Sequence, residues 1–228
     1  MRIGGLQKTS MLDFPGKVSA VIFTQGCNFF CPYCHNPELI LYRREPFAIT
    51  DAIAFLTKRR KVLEGVVISG GEPTLHDDLF NFCATIKNLG YAVKLDTNGS
   101  RPEMLHQLLQ AELVDYVAMD VKANPGQYPA VLCSHDAGKN VCRSMTLLEE
   151  SRVQHEFRIP CVAPFIDTDS FAAIIEHVHH APLFLQAVRL EHVLQADFFP
   201  SQGYALDKDT MAHLRGTAQQ KGLSCQIR

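Results

Sequence analysis

The stretch CNFFCPYCHN, residues 27–36, decides how this 228-residue chain is interpreted. Its three cysteines, Cys27, Cys31 and Cys34, lie within eight residues and follow an apolar run that predicts a buried strand. Thiolates favour zinc, copper(I) and iron-sulfur clusters over hard cations. A cubic cluster normally takes four thiolates, so three would leave one iron open to another ligand. The spacing therefore predicts an iron-sulfur cluster at this loop.

A structural zinc site is the first alternative for the same loop. Such a site takes four protein ligands, and His35 is the other candidate within the stretch. Because His35 directly follows Cys34, the two side chains would have to occupy nearly the same vertex of the zinc coordination tetrahedron. Unliganded core cysteines are the second alternative. The cysteine spacing favours the cluster and leaves both alternatives open.

The sequence around this loop resembles a known family. CxxxCxxC with an aromatic residue before the last cysteine resembles the signature of radical S-adenosylmethionine (SAM) enzymes. The flanking sequences MLDFPG at 11–16, QGC at 25–27 and CHNPE at 34–38 resemble proteins that activate glycyl radical enzymes. The resemblance is greatest to the activating proteins of anaerobic ribonucleoside-triphosphate reductase, and it is dense over residues 1–40.

This resemblance implies an oxidoreductase with two cofactors, a 4Fe-4S cluster and S-adenosyl-L-methionine. It implies a radical SAM activase that cleaves SAM reductively and generates a glycyl radical on anaerobic ribonucleotide reductase. The reduction potentials of iron-sulfur clusters span about −700 to +450 mV. Reducing the sulfonium of SAM requires a cluster whose potential lies near the lower limit of this range. A flavodoxin-like or ferredoxin-like electron donor is therefore expected as a second partner.

Composition limits the remaining function classes. The chain is 46% hydrophobic, which suits a single domain over residues 1–228. A net charge of −2 shows no basic footprint, so a nucleic-acid partner is not expected. The sequence has no signal-like start and no run of roughly 18 apolar residues. We therefore expect a cytoplasmic protein without a membrane partner, whose eight cysteines are reduced.

Strand and helix patterns alternate about six times, which is typical of a parallel α/β sheet. Strands are predicted at 18–23, 66–68, 92–95, 116–121, 157–162 and 183–190. Helices are predicted at 49–60 with Thr50 as the N-cap, and at 77–89, 102–112, 141–152, 170–180 and 208–221. The pattern alone does not distinguish a doubly wound sheet from a barrel. The resemblance implies a partial (β/α)6 TIM-like barrel of the radical SAM type.

Polar and glycine-rich signals follow the second, third and fourth predicted strands. They are Gly70-Gly71-Glu72, Asp96-Thr97-Asn98 and Asp120-Val121-Lys122. Sites in parallel α/β folds gather at the carboxyl ends of strands, so we expect these residues at one rim with the cysteine loop. Taken alone, Gly70-Gly71 is more often only a turn, Asp96-Thr97-Asn98 could be an Asx turn, and Lys122 would be an exposed lysine at a strand end. The cysteine loop reverses the balance for the Gly-Gly sequence.

The resemblance also assigns roles to these residues. The Gly-Gly-Glu motif of the family binds the amino group of SAM, and the Asp-x-Lys motif of activating enzymes helps to bind SAM. Tyr33 is expected near the adenine, and Asp13 near the target glycine. The implied cofactor-binding set is Tyr33, Gly70, Gly71, Glu72, Asp96, Thr97, Asn98, Asp120 and Lys122, with Cys27, Cys31 and Cys34 as metal ligands and Asp13 as the catalytic candidate.

Other cysteines and histidines carry weaker signals. Cys83 and Cys161 lie in apolar surroundings and are predicted to be ordinary buried cysteines. Cys133, His135 and Cys142 lack the tight pairing of a second metal site. The tract at His177, His179 and His180 is predicted to be a solvated helix end.

Rival functions remain open at this point. Within the same class they are activation of another glycyl radical enzyme, such as pyruvate formate-lyase, and small-molecule chemistry such as deazaguanine synthesis. From other classes they are a zinc-stabilised binding module and a dithiol oxidoreductase using CPYC at 31–34. The chain departs from its relatives at Phe30, which is commonly Arg, and beyond residue 183, where a SAM-binding His segment is missing.

Overall fold

The computed structural model describes residues 1–133, 137–199 and 204–228. These residues form an α/β fold, which confirms the predicted class. The strands are β1 (Ile3–Ser10), β2 (Ser19–Thr24), β3 (Gly65–Gly70), β4 (Ala92–Thr97), β5 (Tyr116–Asp120), β6 (Gln154–Cys161), β7 (Leu183–Ala187) and β8 (Cys225–Ile227). The helices are α1 (Pro37–Ile40), α2 (Ile49–Arg59), α3 (Leu79–Asn88), α4 (Pro102–Gln110), α5 (Gly138–Glu150), α6 (Thr168–Ile175) and α7 (Lys208–Gln220).

The chain divides into two compact units. The first unit comprises Met1–Asn28, Asn36–Thr97 and Glu103–Val117, and the second comprises Phe29–His35, Asn98–Pro102 and Ala118–Arg228. In the first unit β1 to β4 pair in chain order, and in the second unit β6 to β8 do the same. The organisation of residues 1–228 as a single domain stays a prediction.

The first unit is built on parallel strands that are buried on both faces. β2 pairs with β3 in parallel from Ser19 opposite Gly65 to Thr24 opposite Gly70, and β3 pairs in the same way with β4. Strands covered on both sides are almost continuously apolar, and the middle of β3, Val66-Val67-Ile68, has no exposed surface. This register places the carboxyl ends of β2 and β3 side by side.

β1 is the edge strand of the first unit and runs antiparallel to β2. Its register with β2 is shifted between Ile3 and Gly5, so Gly4 is an extra residue in the manner of a β-bulge. The side chains of Gln7, Lys8 and Thr9 further along the strand are exposed. Sequence patterns did not predict β1, because two glycines and four polar residues hide its alternation.

The second unit carries the parallel strands β6, β7 and β8. Phe157 on β6 lies opposite Leu183 on β7, and Leu183 lies opposite Cys225 on β8. β8 was not predicted either, since three residues are too few for a pattern. Within the described residues there are therefore eight strands, where six were expected.

Helix ends differ from the predictions for identifiable reasons. α2 begins at Ile49 with Ala48 as its N-cap, so the predicted cap by Thr50 is wrong. α6 begins earlier than predicted because Asp167 and Ser170 form a capping box. It ends at Ile175 rather than His180. The backbone amides of His179, His180 and Ala181 donate instead to the carboxylate of Glu149.

The predicted burial of two cysteines is confirmed. Cys83 on α3 and Cys161 on β6 have no exposed surface, and burial raises the pKa of each thiol to about 12. All eight cysteines lie in the described ranges as thiols. In the described part of the chain, every helix is too short or too polar to cross a bilayer.

Candidate cofactor-binding site

The Gly-Gly turn after β3 lies directly against the backbone at the end of β2. A side chain on Gly71 would place its Cβ 2.0 Å from the carbonyl oxygen of Gly26. Gly70 has φ +117°, and its Cβ would lie 2.3 Å from the backbone nitrogen of Thr24. The amide of Glu72 donates to the Gly26 carbonyl over 2.8 Å. Both positions therefore require glycine for close backbone approach.

Cys27 follows Gly26 and is half-buried in the first unit. The amide of Gly26 donates to the carbonyl of Leu39 over 3.0 Å, at the end of α1. The backbone preceding the first cysteine is thus held from one side by the Gly-Gly-Glu turn and from the other by α1.

Glu72 is a buried organiser of the same turn. Its Oε1 accepts hydrogen bonds from the Thr74 amide at 3.0 Å, the Thr74 hydroxyl at 2.5 Å and the Thr97 hydroxyl at 2.7 Å. Glu72 therefore ties the end of β3 to the end of β4. The sequence marked Glu72 and Thr97 as rim residues but missed Thr74.

Asp96 forms an ion pair with Lys94. Lys94 has no exposed surface, and its ammonium lies 6.0 Å from the centre of the Tyr116 ring. Residues i and i+2 of a strand share one face, so the pair follows from the sequence of β4. Sequence analysis nevertheless missed Lys94, because a lysine in a predicted strand is ordinarily exposed.

Asp13 lies in the first unit on the turn that follows β1. Its amide, like that of Leu12, donates to the Ser10 hydroxyl, over 3.2 and 3.1 Å respectively. The next residue, Phe14, is buried against Tyr116. The turn is therefore held on both sides of Asp13. The expected position of Asp13 near a target glycine stays a prediction.

The second unit holds the other two cysteines of the loop. Cys31 is buried and Cys34 is half-buried, and the Cys34 amide donates to the Cys31 carbonyl over 2.9 Å. Backbone hydrogen bonds hold this part of the loop. The Phe30 amide donates to the Leu132 carbonyl over 2.7 Å. The amides of Gln195 and Leu194 donate to the carbonyls of Pro32 and Cys34, each over 3.0 Å. Phe30 itself is 44% exposed, so it is not a packing residue like Phe29.

The charges of Lys122 and Asp120 influence the Cys31 thiol. Burial raises the pKa of the Cys31 thiol to about 11, Lys122 lowers it, and Cys34 and Asp120 raise it further. Burial alone lowers the pKa of Lys122, but the negative charges of Asp120 and Cys31 raise it well above its usual value. Lys122 is therefore an ammonium ion. Its Nζ lies 2.9 Å from Oδ2 of Asp120.

Two tyrosines complete this cluster of side chains. Burial raises the pKa of Tyr33 well above its usual value, and its ring packs 5.6 Å from that of Phe165. The Tyr128 hydroxyl accepts a hydrogen bond from the backbone amide of Lys122 over 2.9 Å. Its ring lies 5.6 Å from Phe29. Tyr128 was missed by sequence analysis, since no spacing pattern links it to the loop.

Asn98 belongs to a tight turn in the second unit. Its Oδ1 accepts from the Ser100 amide over 2.9 Å, which is an Asx turn. Gly99 adopts φ +73° beside the buried Met119. The turn alternative for this sequence is thus observed, and a role of Asn98 with a cofactor stays a prediction.

The donor set fits an iron-sulfur cluster better than a single ion. In residues 1–133, 137–199 and 204–228, no three His, Cys, Asp or Glu side chains are grouped to hold one metal ion. A closed zinc site needs four such ligands. In a cluster each thiolate binds its own iron, so the sulfurs need not converge on one point. The positive charge of Lys122 lowers the pKa of the Cys31 thiol, which suits a thiolate ligand.

The histidine tract is a structural feature. His177, His179 and His180 line a cavity of about 310 Å³ with acidic residues at the end of α5. Glu149 in this cavity accepts the backbone amides that follow α6, as described above. His135, part of the second metal site considered above, lies outside the described residues.

The fold and these strand-end residues define a class of protein: an α/β enzyme with a thiolate-ligated cluster. Comparison with known proteins narrows the class. The radical SAM superfamily matches residues 21–163, more than half of the sequence, and the chain belongs to this superfamily. A 4Fe-4S cluster and SAM are characteristic of the family, which confirms the predicted cofactors and enzyme class.

Individual relatives agree with this assignment. A Methanocaldococcus jannaschii protein provisionally named a glycyl-radical enzyme activating enzyme is 34% identical over 190 residues, 80% of this chain and 77% of the relative. The pyruvate formate-lyase-activating enzyme of Listeria monocytogenes is 29% identical over 139 residues, 56% of each chain. The structure of Streptococcus suis SuiB bound to S-adenosylmethionine superimposes with a TM-score of 0.62 at 15% identity, covering 91% of this chain and 49% of SuiB. That likeness confirms the predicted radical SAM fold, a partial (β/α)6 barrel.

Proposed function

We propose that the protein generates a glycyl radical on anaerobic ribonucleoside-triphosphate reductase. The observation that carries the proposal is the CxxxCxxC loop within the MLDFPG to CHNPE sequence. The similarity to the Methanocaldococcus protein supports it, since that protein is named for the same reaction class and is matched over 77% of its length.

In this proposal Cys27, Cys31 and Cys34 ligate the 4Fe-4S cluster and leave one iron open for SAM. When bound, the cluster supplies one electron that cleaves a sulfur-carbon bond of SAM, giving methionine and a 5′-deoxyadenosyl radical that abstracts hydrogen from the target glycine. The protein contributes binding, orientation and exclusion of side reactions.

The chain's own residues divide this work. Gly70 and Gly71 leave backbone groups open to the amino group of SAM, and Glu72 fixes their position through Thr74 and Thr97. Lys122 supplies a cation for the carboxylate end of SAM. Asp96, Thr97, Asn98 and Asp120 are proposed to line the rest of the SAM site, with Tyr33 at the adenine and Asp13 on the substrate side.

Partners and location follow from this chemistry. The protein partner is a glycyl radical enzyme, and the electron donor is flavodoxin-like or ferredoxin-like because the cluster must reach a low potential. A cytoplasmic location belongs to the same proposal, since reduced thiols are kept there. A second candidate target is pyruvate formate-lyase, which the 29% identity to the Listeria enzyme favours. Membership of the radical SAM superfamily argues against the zinc-stabilised module and the dithiol oxidoreductase.

The first test measures 5′-deoxyadenosine released from SAM by the anaerobically reconstituted, chemically reduced protein. We expect product from the wild type and none from Cys34→Ala. Absence of product from fully iron-loaded wild type would contradict SAM cleavage as proposed.

The second test identifies the target. The reduced protein is mixed with SAM and either the anaerobic ribonucleotide reductase or the pyruvate formate-lyase of the same organism. We expect the electron paramagnetic resonance (EPR) signal of a glycyl radical on the reductase alone. A signal on the lyase alone would reassign the target and leave the radical SAM chemistry intact.

A further inference from the structure

Lys94 is a fully buried lysine in the middle of β4. Its side chain has no exposed surface, and neither have Val93 and Leu95 beside it. Lys94 lies opposite Val67 of β3, which is buried as well. Replacing a buried ion pair with well-packed apolar residues is often neutral or stabilising. Stability alone therefore gives no reason for a lysine at this position of the strand.

Charged and aromatic side chains fix the ammonium of Lys94. It forms an ion pair with Oδ1 of Asp96, two residues further along the same face of β4. It also lies 6.0 Å from the centre of the Tyr116 ring, within the range of a cation–π contact. Tyr116 is itself buried, with its ring centre 6.1 Å from that of Phe14. The positive charge is therefore held in place inside the first unit.

Asp96 connects this buried charge to the carboxyl end of β4. Its side chain is 21% exposed and that of Lys94 is 0% exposed, so the carboxylate reaches solvent while its Oδ1 is held from inside. The following residue, Thr97, donates its hydroxyl to Glu72 over 2.7 Å. Asp96 thus adjoins the hydrogen bond that ties β4 to the Gly-Gly-Glu turn, and Lys94 restricts the orientation of its carboxylate.

The charge of Lys94 also limits what this carboxylate can bind. A carboxylate at a strand end attracts cations, but a second cation at Asp96 would be repelled by the ammonium already there. Neutral hydroxyl groups are not repelled and can donate hydrogen bonds to the carboxylate. An acidic side chain binds a ribose hydroxyl in this way in dinucleotide-binding folds. The ion pair therefore suits a ribose better than a metal ion or an amino group.

We propose that Lys94 is a positioning residue that orients the Asp96 carboxylate toward the ribose hydroxyls of SAM. This inference rests on the proposed function, because it requires Asp96 to lie in the SAM site. It gives Lys94 a role in binding that acts through Asp96, without contact between Lys94 and the cofactor.

The test measures the Kd of SAM and of 5′-methylthioadenosine for the anaerobically reconstituted protein, without reductant, by isothermal titration calorimetry. 5′-Methylthioadenosine keeps the ribose of SAM and lacks its amino-acid chain. We expect Lys94→Met to weaken both ligands by the same factor, about tenfold, as for the loss of a hydrogen bond to a charged group. Lys87→Met is the matched control, because Lys87 forms a 2.6 Å ion pair with Asp115 in the same unit. Neither Kd should change in the control.

A double-mutant cycle separates positioning from a general loss of structure. We expect Lys94→Met to leave the Kd of SAM unchanged in an Asp96→Asn background, because the carboxylate that Lys94 orients is then gone. Asp96→Asn leaves the Lys94 ammonium buried without this counter-charge. If that variant does not fold, the equal loss for the two ligands decides the question. Lys94→Gln replaces Lys94→Met in every comparison if the methionine variant does not fold.

The outcomes separate this inference from the proposed function. Unchanged affinities in the folded Lys94 variant, a loss confined to SAM, or an equal loss in the Asp96→Asn background would each overturn the inference. Wild-type protein that binds SAM but is insensitive to Lys94 would leave the proposed function intact. Wild-type protein that binds no SAM would overturn the proposed function itself, and this inference with it.

Discussion

Gly71 shows how a missing side chain sets the geometry at the end of β3. Its α-carbon faces the Gly26 carbonyl so closely that a methyl group would lie 2.0 Å from that oxygen. Backbone atoms in a paired strand cannot move aside as a flexible side chain can. The Gly-Gly sequence is therefore a packing requirement in addition to any ligand contact.

Replacing Gly71 with Ala is expected to lower the free energy of unfolding by about 1–3 kcal/mol, the usual range for overpacking. Gly216→Ala is the matched control, because Gly216 lies within α7 and a Cβ there meets nothing within 4 Å. That control should be stabilised by about 1 kcal/mol, since Ala is the better helix former. Urea unfolding of both variants checks the prediction. A Gly71→Ala protein as stable as the wild type would contradict it.

Residues two apart in an extended stretch share one side of the chain, as Asp120 and Lys122 do. The structure joins these two in an ion pair that sequence analysis did not predict. The contact of Thr97 with Glu72 was missed because it forms only once β3 and β4 are side by side. Thr74 is a local partner, two residues after Glu72, that the motif itself did not mark. Lys94 was missed for the related reason that burial of a lysine depends on tertiary packing.

At the scale of elements, α6 depends on a reciprocal cap. Asp167 Oδ1 accepts from the Ser170 amide over 2.8 Å, and the Ser170 hydroxyl accepts from the Asp167 amide over 2.7 Å. The side-chain and backbone hydrogen bonds from Ser170 lower the pKa of Asp167 from 3.8. This cap explains why the helix starts before its predicted first residue.

Asp167→Ala is expected to lower the free energy of unfolding by about 1 kcal/mol near neutral pH, as for other N-cap losses. Because the folded-state pKa is lowered, the contribution is present above the unfolded value of 3.8 and is lost as the pH falls through the folded value. The difference between wild type and variant should therefore disappear in acid. Urea unfolding of cluster-free protein over a pH series measures it.

The control for this series is Asp169→Ala, in the first turn of the same helix. Asp169 contributes only its backbone amide to the cap, so its replacement should cost less than that of Asp167. Equal losses for the two variants, or a difference that persists in strong acid, would contradict the capping explanation.

Elements were predictable where burial made them continuous and apolar, as in β2 and β3. β1 and β8 were not, because their strand conformation comes from pairing with β2 and β7 rather than from their own sequences. The C-terminal end of α6 was placed too late for a similar reason. The carboxylate of Glu149, which is distant in sequence, accepts hydrogen bonds from backbone amides that would otherwise continue the helix.

At the scale of the whole molecule, the proposed cofactor residues come from four separate stretches, 27–34, 70–72, 96–98 and 120–122. Alternating strands and helices made the α/β class predictable, whereas the choice between a barrel and an open sheet required the family resemblance. Ligand binding that draws on four stretches should stabilise the fold as a whole.

SAM is therefore expected to raise the stability of the reconstituted protein. A ligand at one hundred times its Kd stabilises the native state by about 2.7 kcal/mol. Anaerobic thermal unfolding with and without SAM measures the shift. Removing the cluster should abolish most of it, because the open iron is then lost as a ligand for SAM. An unchanged shift in cluster-free protein would show that SAM binds independently of the cluster.

The form of β1 has a consequence for handling the protein in concentrated solution. An exposed strand edge is a template for pairing with another copy, and irregular backbone and lysine side chains are known safeguards against it. Gly4 breaks the regular ladder and Lys8 places a cation on the same edge strand. Edge-to-edge aggregation is thereby discouraged, so the chain should tolerate the high concentrations and long incubations of anaerobic work without forming strand-paired aggregates.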